Sequence, residues 1–136
     1  MSPLFHIASL WSVQETRWGE NDCMLVLADW VHAQGHPDPA AEVRGTYDRA
    51  QSRQAVEFLR APVETAARYF EGVAGLTRTE APGPGDIAVL LVPQPGGMRP
   101  IGALNLGPVW VAKAERFGVV QFAGPQVLGA WDVGYA

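Results

Sequence analysis

The sequence changes character near residue 80, and this change restricts the fold more than any other feature. Before it, helix caps and helix breakers dominate. After the Pro/Gly cluster TEAPGPGD, short apolar segments rich in β-branched and aromatic residues are separated by Gly or Pro. Helices followed by strands are typical of an α+β domain, with N-terminal helices packed on a C-terminal antiparallel sheet. The length predicts one domain over 1–136, helical over about 1–72 and β over about 84–136.

Start and stop signals predict four helices in the first part and five strands in the second. The helices begin after Ser2 with Pro3 at the first position, over 23–34 after Asp22, from Ser52 to about Arg60, and from Pro62 to Phe70. The strand segments are DIAVLLV, IGALNLG, VWVAKA, GVVQFAG and LGAWDV. Between the first two strands, the stretch VPQPGGMRP is expected to be a mobile hairpin connection at the rim of any site.

Composition and charge exclude several functional classes. The net charge is −4 and the chain has one lysine, so it lacks the clustered cations that nucleic-acid binding requires. No apolar run approaches the roughly 18 residues that a membrane-spanning helix needs. One cysteine allows no internal disulfide, and MSPLFHIASLW lacks the basic region and cleavage site of a signal peptide. We therefore expect no nucleic-acid partner, no membrane insertion and no signal peptide.

The helix over 23–34 is apolar on almost every side, which is typical of a central, buried helix. Its first residue is Cys23. A thiol at a helix N-terminus lies near the positive end of the macrodipole and near free N–H groups, which favour thiolate and can hold an oxyanion. Cysteine is also among the most commonly buried residue types. The position suits a nucleophile, but a lone cysteine taken by itself favours a structural core residue.

Two short motifs occur on these elements in a defined order. W-G-x-x-D-C stands at the start of the buried helix and consists of Trp18, Gly19, Asp22 and Cys23. Pro-Gly-Asp, ending at Asp86, enters the first predicted strand. Together they resemble the NlpC-type cell-wall cysteine peptidases of the papain-like superfamily, over about residues 16–122. The resemblance implies a papain-like fold with Cys23 as candidate nucleophile, and WGENDC…ADWV looks like short tail proteins of phages and gene-transfer agents.

The chain departs from this family at positions that matter for catalysis. Met24 and Leu25 stand where Ser-Gly usually follows the nucleophile, and Thr16 replaces a tyrosine. The family's second strand begins with the catalytic histidine in a His-Val-Gly-Ile pattern. The matching position here is Pro100 or Ile101, and neither side chain accepts a proton.

Other residues offer only weak substitutes for the missing histidine. His32 is about half a turn out of phase with Cys23 on the same helix, and His36 follows in a turn. His6, on the first helix, is the remaining candidate base, while Gln121 and Asn105 are candidate polar partners. The glycine and proline around His36 break the helical register that a metal-binding pair would need, and no phosphate-binding lysine motif occurs. No metal and no cofactor is therefore expected.

Three functions are compatible with these features. The first is a component of a phage or gene-transfer-agent tail tip or baseplate, assembled in the host cytoplasm and catalytically weak or inactive as a peptidase. Its partners would be other tail proteins and, in the particle, peptidoglycan, and its five tryptophans suit interface anchors as well as core positions. The second is an active cysteine hydrolase that cleaves peptidoglycan peptide bonds. The third is a cytosolic binding module with Cys23 in its core. In each, Asp22 as helix cap and Asp86 as turn residue are architectural.

Overall fold

The computed structural model describes residues 2–49 and 52–135. Its helices are α1 (Pro3–Ser12), α2 (Cys23–Ala33), α3 (Arg53–Arg60) and α4 (Pro62–Phe70). Its strands are β1 (Thr77–Arg78), β2 (Ile87–Gln94), β3 (Gly97–Asn105), β4 (Trp110–Lys113), β5 (Val119–Phe122) and β6 (Gln126–Asp132). This order confirms the predicted α+β class.

The predicted helix starts are confirmed by their capping hydrogen bonds. The hydroxyl of Ser2 accepts from an N–H of the first turn of α1, and Ser52 does the same for α3. The carboxylate of Asp22 accepts from the second and third N–H groups of α2. Pro62 opens α4 at its first position, where a missing N–H costs no hydrogen bond. No helix in the described part of the chain is both long enough and apolar enough to cross a membrane.

The six strands form one antiparallel sheet in the order β1-β6-β2-β3-β4-β5. The five predicted strands are confirmed, whereas the two-residue strand β1 was not predicted. The expected hairpin connection at VPQPGGMRP is confirmed, but its turn is much shorter than that stretch. β2 and β3 stay paired up to Gln94 and Gly97, and a two-residue turn with φ +90° at Gly96 joins them. Most of that stretch is ordered strand because the turn residues are Pro and Gly, which suit so short a reversal.

The central part of the sheet is buried on both faces, by two different sets of side chains. Alternate residues of β2 such as Ile87 and Val89 face the helices and join a cluster with residues of α1, α2 and α4. The residues between them, such as Ala88 and Leu90, join a second cluster in which every described member is a strand residue. β2 therefore reads as one continuous apolar run, because neither of its faces meets water.

The Pro-Gly-Asp turn holds α2 and the end of the chain together. The indole N–H of Trp30 on α2 donates to the carbonyl of Gly85 at 2.8 Å. The two carboxylate oxygens of Asp86 accept from the N–H of Gly83 at 2.8 Å and of Val133 at 3.0 Å. Asp86 therefore fixes both the turn before β2 and the segment after β6, which keeps α2 in a constant position over the sheet.

Candidate active site

The residues of W-G-x-x-D-C fix the start of α2. Gly19 has φ +84°, and a Cβ at this position would lie 1.8 Å from the carbonyl oxygen of Tyr47. Its N–H donates to the Asp22 carboxylate at 3.0 Å, and the Tyr47 hydroxyl donates to the same carboxylate at 2.5 Å. With the two capping N–H groups of α2, Asp22 has four donors and is only 2% exposed. The motif therefore binds the loop, the tyrosine and the helix start into one unit.

A cluster of charged residues positions the segment that carries Tyr47. The guanidinium of Arg44 forms salt bridges of 2.8 Å with Asp29 on α2 and with Asp38. The hydrogen bond from Arg44 lowers the pKa of Asp38 below its usual range, which keeps that carboxylate charged. These salt bridges tie the segment to the side of α2. Within it, burial and then the neighbouring Asp22 charge raise the pKa of Tyr47.

Cys23 is partly buried at the start of α2, and its environment favours the neutral thiol. Burial, and after it the negative charge of Asp22, raises the pKa of Cys23 from 9.0 to about 12. Hydrogen bonds from the backbone at Gly102 and at Cys23 itself act in the opposite direction but are smaller effects. The helix N-terminus therefore does not yield a thiolate here, because desolvation and an adjacent carboxylate outweigh it.

Cys23 borders a cavity of about 280 Å³ between the helices and the sheet. The wall on the helical side comes from α2, α3, α4 and the segment before Tyr47, and the opposite wall comes from β3, β4 and the residues around β5. Its lining is mainly apolar, with Ala28, Phe58 and Ile101 among its members. Trp18 also lines it and is half-buried, whereas the other four tryptophans are at most 7% exposed and fill the core.

Lys113 lines the sheet side of the cavity and was not recognised as a site residue from the sequence. It is 1% exposed and lies on the helix-facing side of β4. Its ammonium donates to the carbonyl of Gln14 at 2.6 Å, the hydroxyl of Thr16 at 2.9 Å and the carbonyl of Gly118 at 3.1 Å. Burial lowers its pKa. All three donors are used, so Lys113 fastens the β4–β5 turn to the segment after α1.

The candidate bases do not meet Cys23. His6 is exposed on α1 and is absent from the cavity lining. A ring nitrogen of His32 lies 3.0 Å from the carbonyl of His36, whose own ring is 2.7 Å from the carbonyl of Val133. Gln121 is exposed and borders a different, shallow depression beside the β2–β3 hairpin.

Pro100 and Ile101, the two positions that the sequence analysis compared with a histidine, lie on opposite faces of β3. Gly102 on β3 lies against the first turn of α2, where a Cβ would approach the sulfur of Met24 to 2.5 Å. Pro100 is two residues earlier, on the same face of β3 as Gly102, and lines the cavity. Asn105 lies elsewhere and accepts from the N–H of Gly107 in the turn after β3.

The comparison with protein families is consistent with one domain architecture over nearly the whole chain. A family model described as a domain of unknown function (DUF6950) matches residues 4–133. The chain belongs to this family. No curated protein and no solved structure matches it.

The chemistry available at this site of the DUF6950 domain is limited. The described residues contain no group of three or more His, Cys, Asp or Glu side chains that could hold a metal ion. Asp22 and Lys113 are charged, but each already has a full set of hydrogen-bond partners. The arrangement provides a mainly apolar cavity bordered by a neutral thiol, and no histidine is among the described residues of its lining.

Proposed function

We propose that this DUF6950 protein is a component of the tail tip or baseplate of a phage or gene-transfer agent, with an NlpC-like fold that has lost peptidase activity. The observation that carries the proposal is the environment of Cys23. The three histidines lie outside the cavity lining, and the position that the resemblance matches to the catalytic histidine is Pro100 or Ile101, neither of which accepts a proton.

The state of the thiol supports the loss of activity. A cysteine peptidase attacks with a thiolate, which an adjacent base or a lowered pKa supplies. Here the pKa of Cys23 is raised to about 12, so very little thiolate exists at neutral pH. Removing the base of a hydrolytic triad costs about a millionfold in rate in a well-studied serine enzyme. A thiol needs its base less than a hydroxyl does, but it cannot act efficiently while protonated.

The retained motifs support a structural role for the same fold. Gly19, Asp22 and Tyr47 build the start of α2, and Asp86 ties the sheet to α2 and to the chain end. These contacts stabilise the architecture without contributing a proton or a nucleophile. The family motifs can therefore persist after hydrolysis is lost.

The proposal places the protein in the virion, assembled in the host cytoplasm, with other tail-tip or baseplate proteins as partners. Peptidoglycan would be met only as a surface during cell-wall penetration. The net charge of −4 and the lack of clustered cations argue against a nucleic-acid partner.

The test is made in the particle whose genome encodes the chain. Cys23→Ala particles are expected to assemble and infect as well as the wild type, whereas deletion of the chain is expected to prevent assembly. Particles that assemble normally without the chain would contradict the proposal and favour a cytosolic binding module.

An active cysteine hydrolase is the second candidate, favoured by the position of Cys23 on the border of the cavity at the N-terminus of α2, among free backbone N–H groups. In an active enzyme such N–H groups stabilise developing negative charge. The purified protein would then release peptides from muropeptides, and Cys23→Ala would abolish the release. We expect no release from either protein.

A further inference from the structure

The cavity between the helices and the sheet continues through a gap in the sheet. β3 pairs with β2 along almost its whole length, but its pairing with β4 is limited to Leu104 and Asn105. Residues 97–103 of β3 therefore have no described strand on their β4 side. Through this gap the cavity reaches both faces of β3, since Pro100 on the helix-facing side and Arg99 on the other both line it.

The part of the cavity on the helical side is mainly apolar. Ala28 and Phe58 line it, and the buried charges of Asp22 and Lys113 already have their hydrogen bonds within the protein. The cavity volume of about 280 Å³ is nearly twice the roughly 150 Å³ of an engineered cavity that binds benzene, and it approaches the lower limit of about 300 Å³ for natural small-ligand sites. This part therefore has room for one bulky apolar group.

The strand side of the cavity carries polar side chains that are free to bind a ligand. Gln94, Arg99 and Glu115 line the cavity, are exposed, and form no hydrogen bond or ion pair with another described residue. Arg99 lies on β3 and Glu115 follows β4, so the two opposite charges lie on different sides of the gap, without a salt bridge between them. One end of a mainly apolar cavity therefore offers both a cation and an anion.

The free edge of β3 adds a hydrogen-bond acceptor. The backbone N–H and C=O of Asn105 bond on the β2 side, to Asp86 and Gly85. Because these groups alternate between the two sides of an antiparallel strand, the carbonyl of Pro100 faces the gap, where no described residue donates to it. Proline has no N–H, so a peptide strand added at this edge would lack a donor, whereas an ammonium group needs only the acceptor.

We infer that the cavity binds a free amino acid with a bulky apolar side chain, such as tryptophan or phenylalanine. The side chain enters the apolar part, the carboxylate pairs with Arg99, and the ammonium group pairs with Glu115 and the carbonyl of Pro100. An apolar acid would bring its carboxylate near Glu115, an apolar amine would bring its ammonium near Arg99, and a neutral molecule would use neither charge. This inference does not use Cys23 and goes beyond the proposed function.

The test compares four ligands with the same indole ring, by the amide chemical shifts of the isotopically labelled protein. L-tryptophan carries both charges, indole-3-propionate only the carboxylate, tryptamine only the ammonium group, and acetyl-tryptophan amide neither. We expect saturable shifts at Ala28 and Ala55, which line the cavity, with L-tryptophan. Each singly charged ligand is expected to bind roughly tenfold more weakly, and acetyl-tryptophan amide more weakly still.

Two variants remove one charge each and assign the two ends of the ligand. Arg99→Gln is expected to weaken L-tryptophan and indole-3-propionate roughly tenfold but not tryptamine, whereas Glu115→Gln is expected to weaken L-tryptophan and tryptamine roughly tenfold but not indole-3-propionate. Both side chains are exposed, so neither change is expected to prevent folding. Arg116→Gln and Glu80→Gln are the matched controls, because both residues are exposed and absent from the cavity lining.

Three results would overturn the inference: no saturable binding of L-tryptophan, binding of acetyl-tryptophan amide as tight as that of L-tryptophan, or unchanged binding in both charge variants. Tighter binding of either singly charged ligand would overturn the amino acid in favour of an apolar acid or an apolar amine. Muropeptide hydrolysis that depends on Cys23 would instead refute the proposed function, whatever the four ligands do. The two failures are therefore distinguishable.

Discussion

At the scale of single residues, Gly19 has the most restrictive environment of the motif. Its φ of +84° is costly for other residues, and a Cβ would overlap the Tyr47 carbonyl oxygen. Gly45 has a comparable φ of +71° but open space around the missing Cβ. Comparing the same substitution at Gly19 and at Gly45 therefore distinguishes the cost of backbone strain from the cost of steric overlap.

We predict that Gly19→Ala lowers the free energy of unfolding by roughly 3 kcal/mol or more, and Gly45→Ala by only about 1 kcal/mol. The difference arises because only the first variant forces the Tyr47 segment away from Asp22. Urea denaturation of both variants measures it. Equal losses would show that the close approach to Tyr47 is not rigid.

Cys23 gives the second residue-scale prediction. At pH 8, a thiol with a pKa of about 12 forms on the order of a thousandth of the thiolate that a thiol with a pKa of 9.0 forms. We therefore expect alkylation of Cys23 to be about a thousandfold slower in the folded protein than in denaturant. The rate should keep rising with pH beyond 9.0 without a plateau. A plateau below that pH would indicate a stabilised thiolate and revive the peptidase.

The same pKa shift affects stability in a defined direction. Because the folded-state pKa of Cys23 is raised, the unfolded chain ionises first as the pH rises above 9.0. The folded state therefore loses stability between pH 9.0 and about 12, and this loss is absent in Cys23→Ala.

At the scale of secondary-structure elements, Glu71 connects the end of α4 to the sheet. Its carboxylate accepts from the indole N–H of Trp131 on β6 at 2.8 Å and from Arg78 on β1 at 2.7 Å. The hydrogen bond from Trp131 has the largest effect and that from Arg78 the next largest, and together they hold the pKa of Glu71 below its usual 4.5.

A lowered folded-state pKa means that the stabilisation is present above pH 4.5 and is lost as the pH falls through the folded-state value. We predict that Glu71→Gln is less stable than the wild type at pH 7 and that the difference shrinks towards pH 3. Thermal unfolding across this range measures it, with the exposed Glu80→Gln as control. A difference that is constant with pH would contradict the prediction.

Lys113 has the same connecting function between β4 and the segment after α1. Lys113→Met keeps the length of the side chain but removes its three charged hydrogen bonds, while the carbonyls of Gln14 and Gly118 keep the backbone N–H groups of Gly118 and Ala114 as donors. We predict a loss of about 2 kcal/mol, because hydrogen bonds to charged groups usually contribute roughly 1.5–3 kcal/mol. Arg116→Met, exposed in the same turn, should change stability by less than about 0.5 kcal/mol. Similar values for both variants would mean that the ammonium is not needed.

The element boundaries could be predicted from sequence because they depend on local signals. Ser2, Asp22, Ser52 and Pro62 start their helices through contacts within one turn. β1 could not be predicted, since two residues show no periodicity and form a strand only by pairing with β6. Lys113 was missed for a similar reason, because its three acceptors are up to 99 residues away in sequence.

The candidate site was predictable only in part, again because of the range of the interactions. The position of Cys23 after its Asp22 cap followed from the motif. Its raised pKa depends on how the helices and β3 exclude water, which no local pattern encodes. The locations of His6 and Gln121 likewise depend on tertiary packing, which places both outside the cavity lining.

At the scale of the whole molecule, the helical and strand halves share one core. The larger cluster combines residues of α1, α2 and α4 with residues of β2, β3, β4 and β6. We predict that the two halves unfold together in urea, so that helical circular dichroism and tryptophan fluorescence give the same midpoint. Two separate midpoints would show that the helices are stable without the sheet.

The strand order has a consequence for biosynthesis. β6 lies between β1 and β2, although it is the last of the six strands to leave the ribosome. Until it emerges, the edge of β2 that will pair with it, apolar along most of its length, has no partner. At this stage the exposed edge of β2 can pair with a strand of a neighbouring nascent chain. A chaperone, or a slow final stage of translation, would therefore affect the yield of folded protein more than any change within the helices.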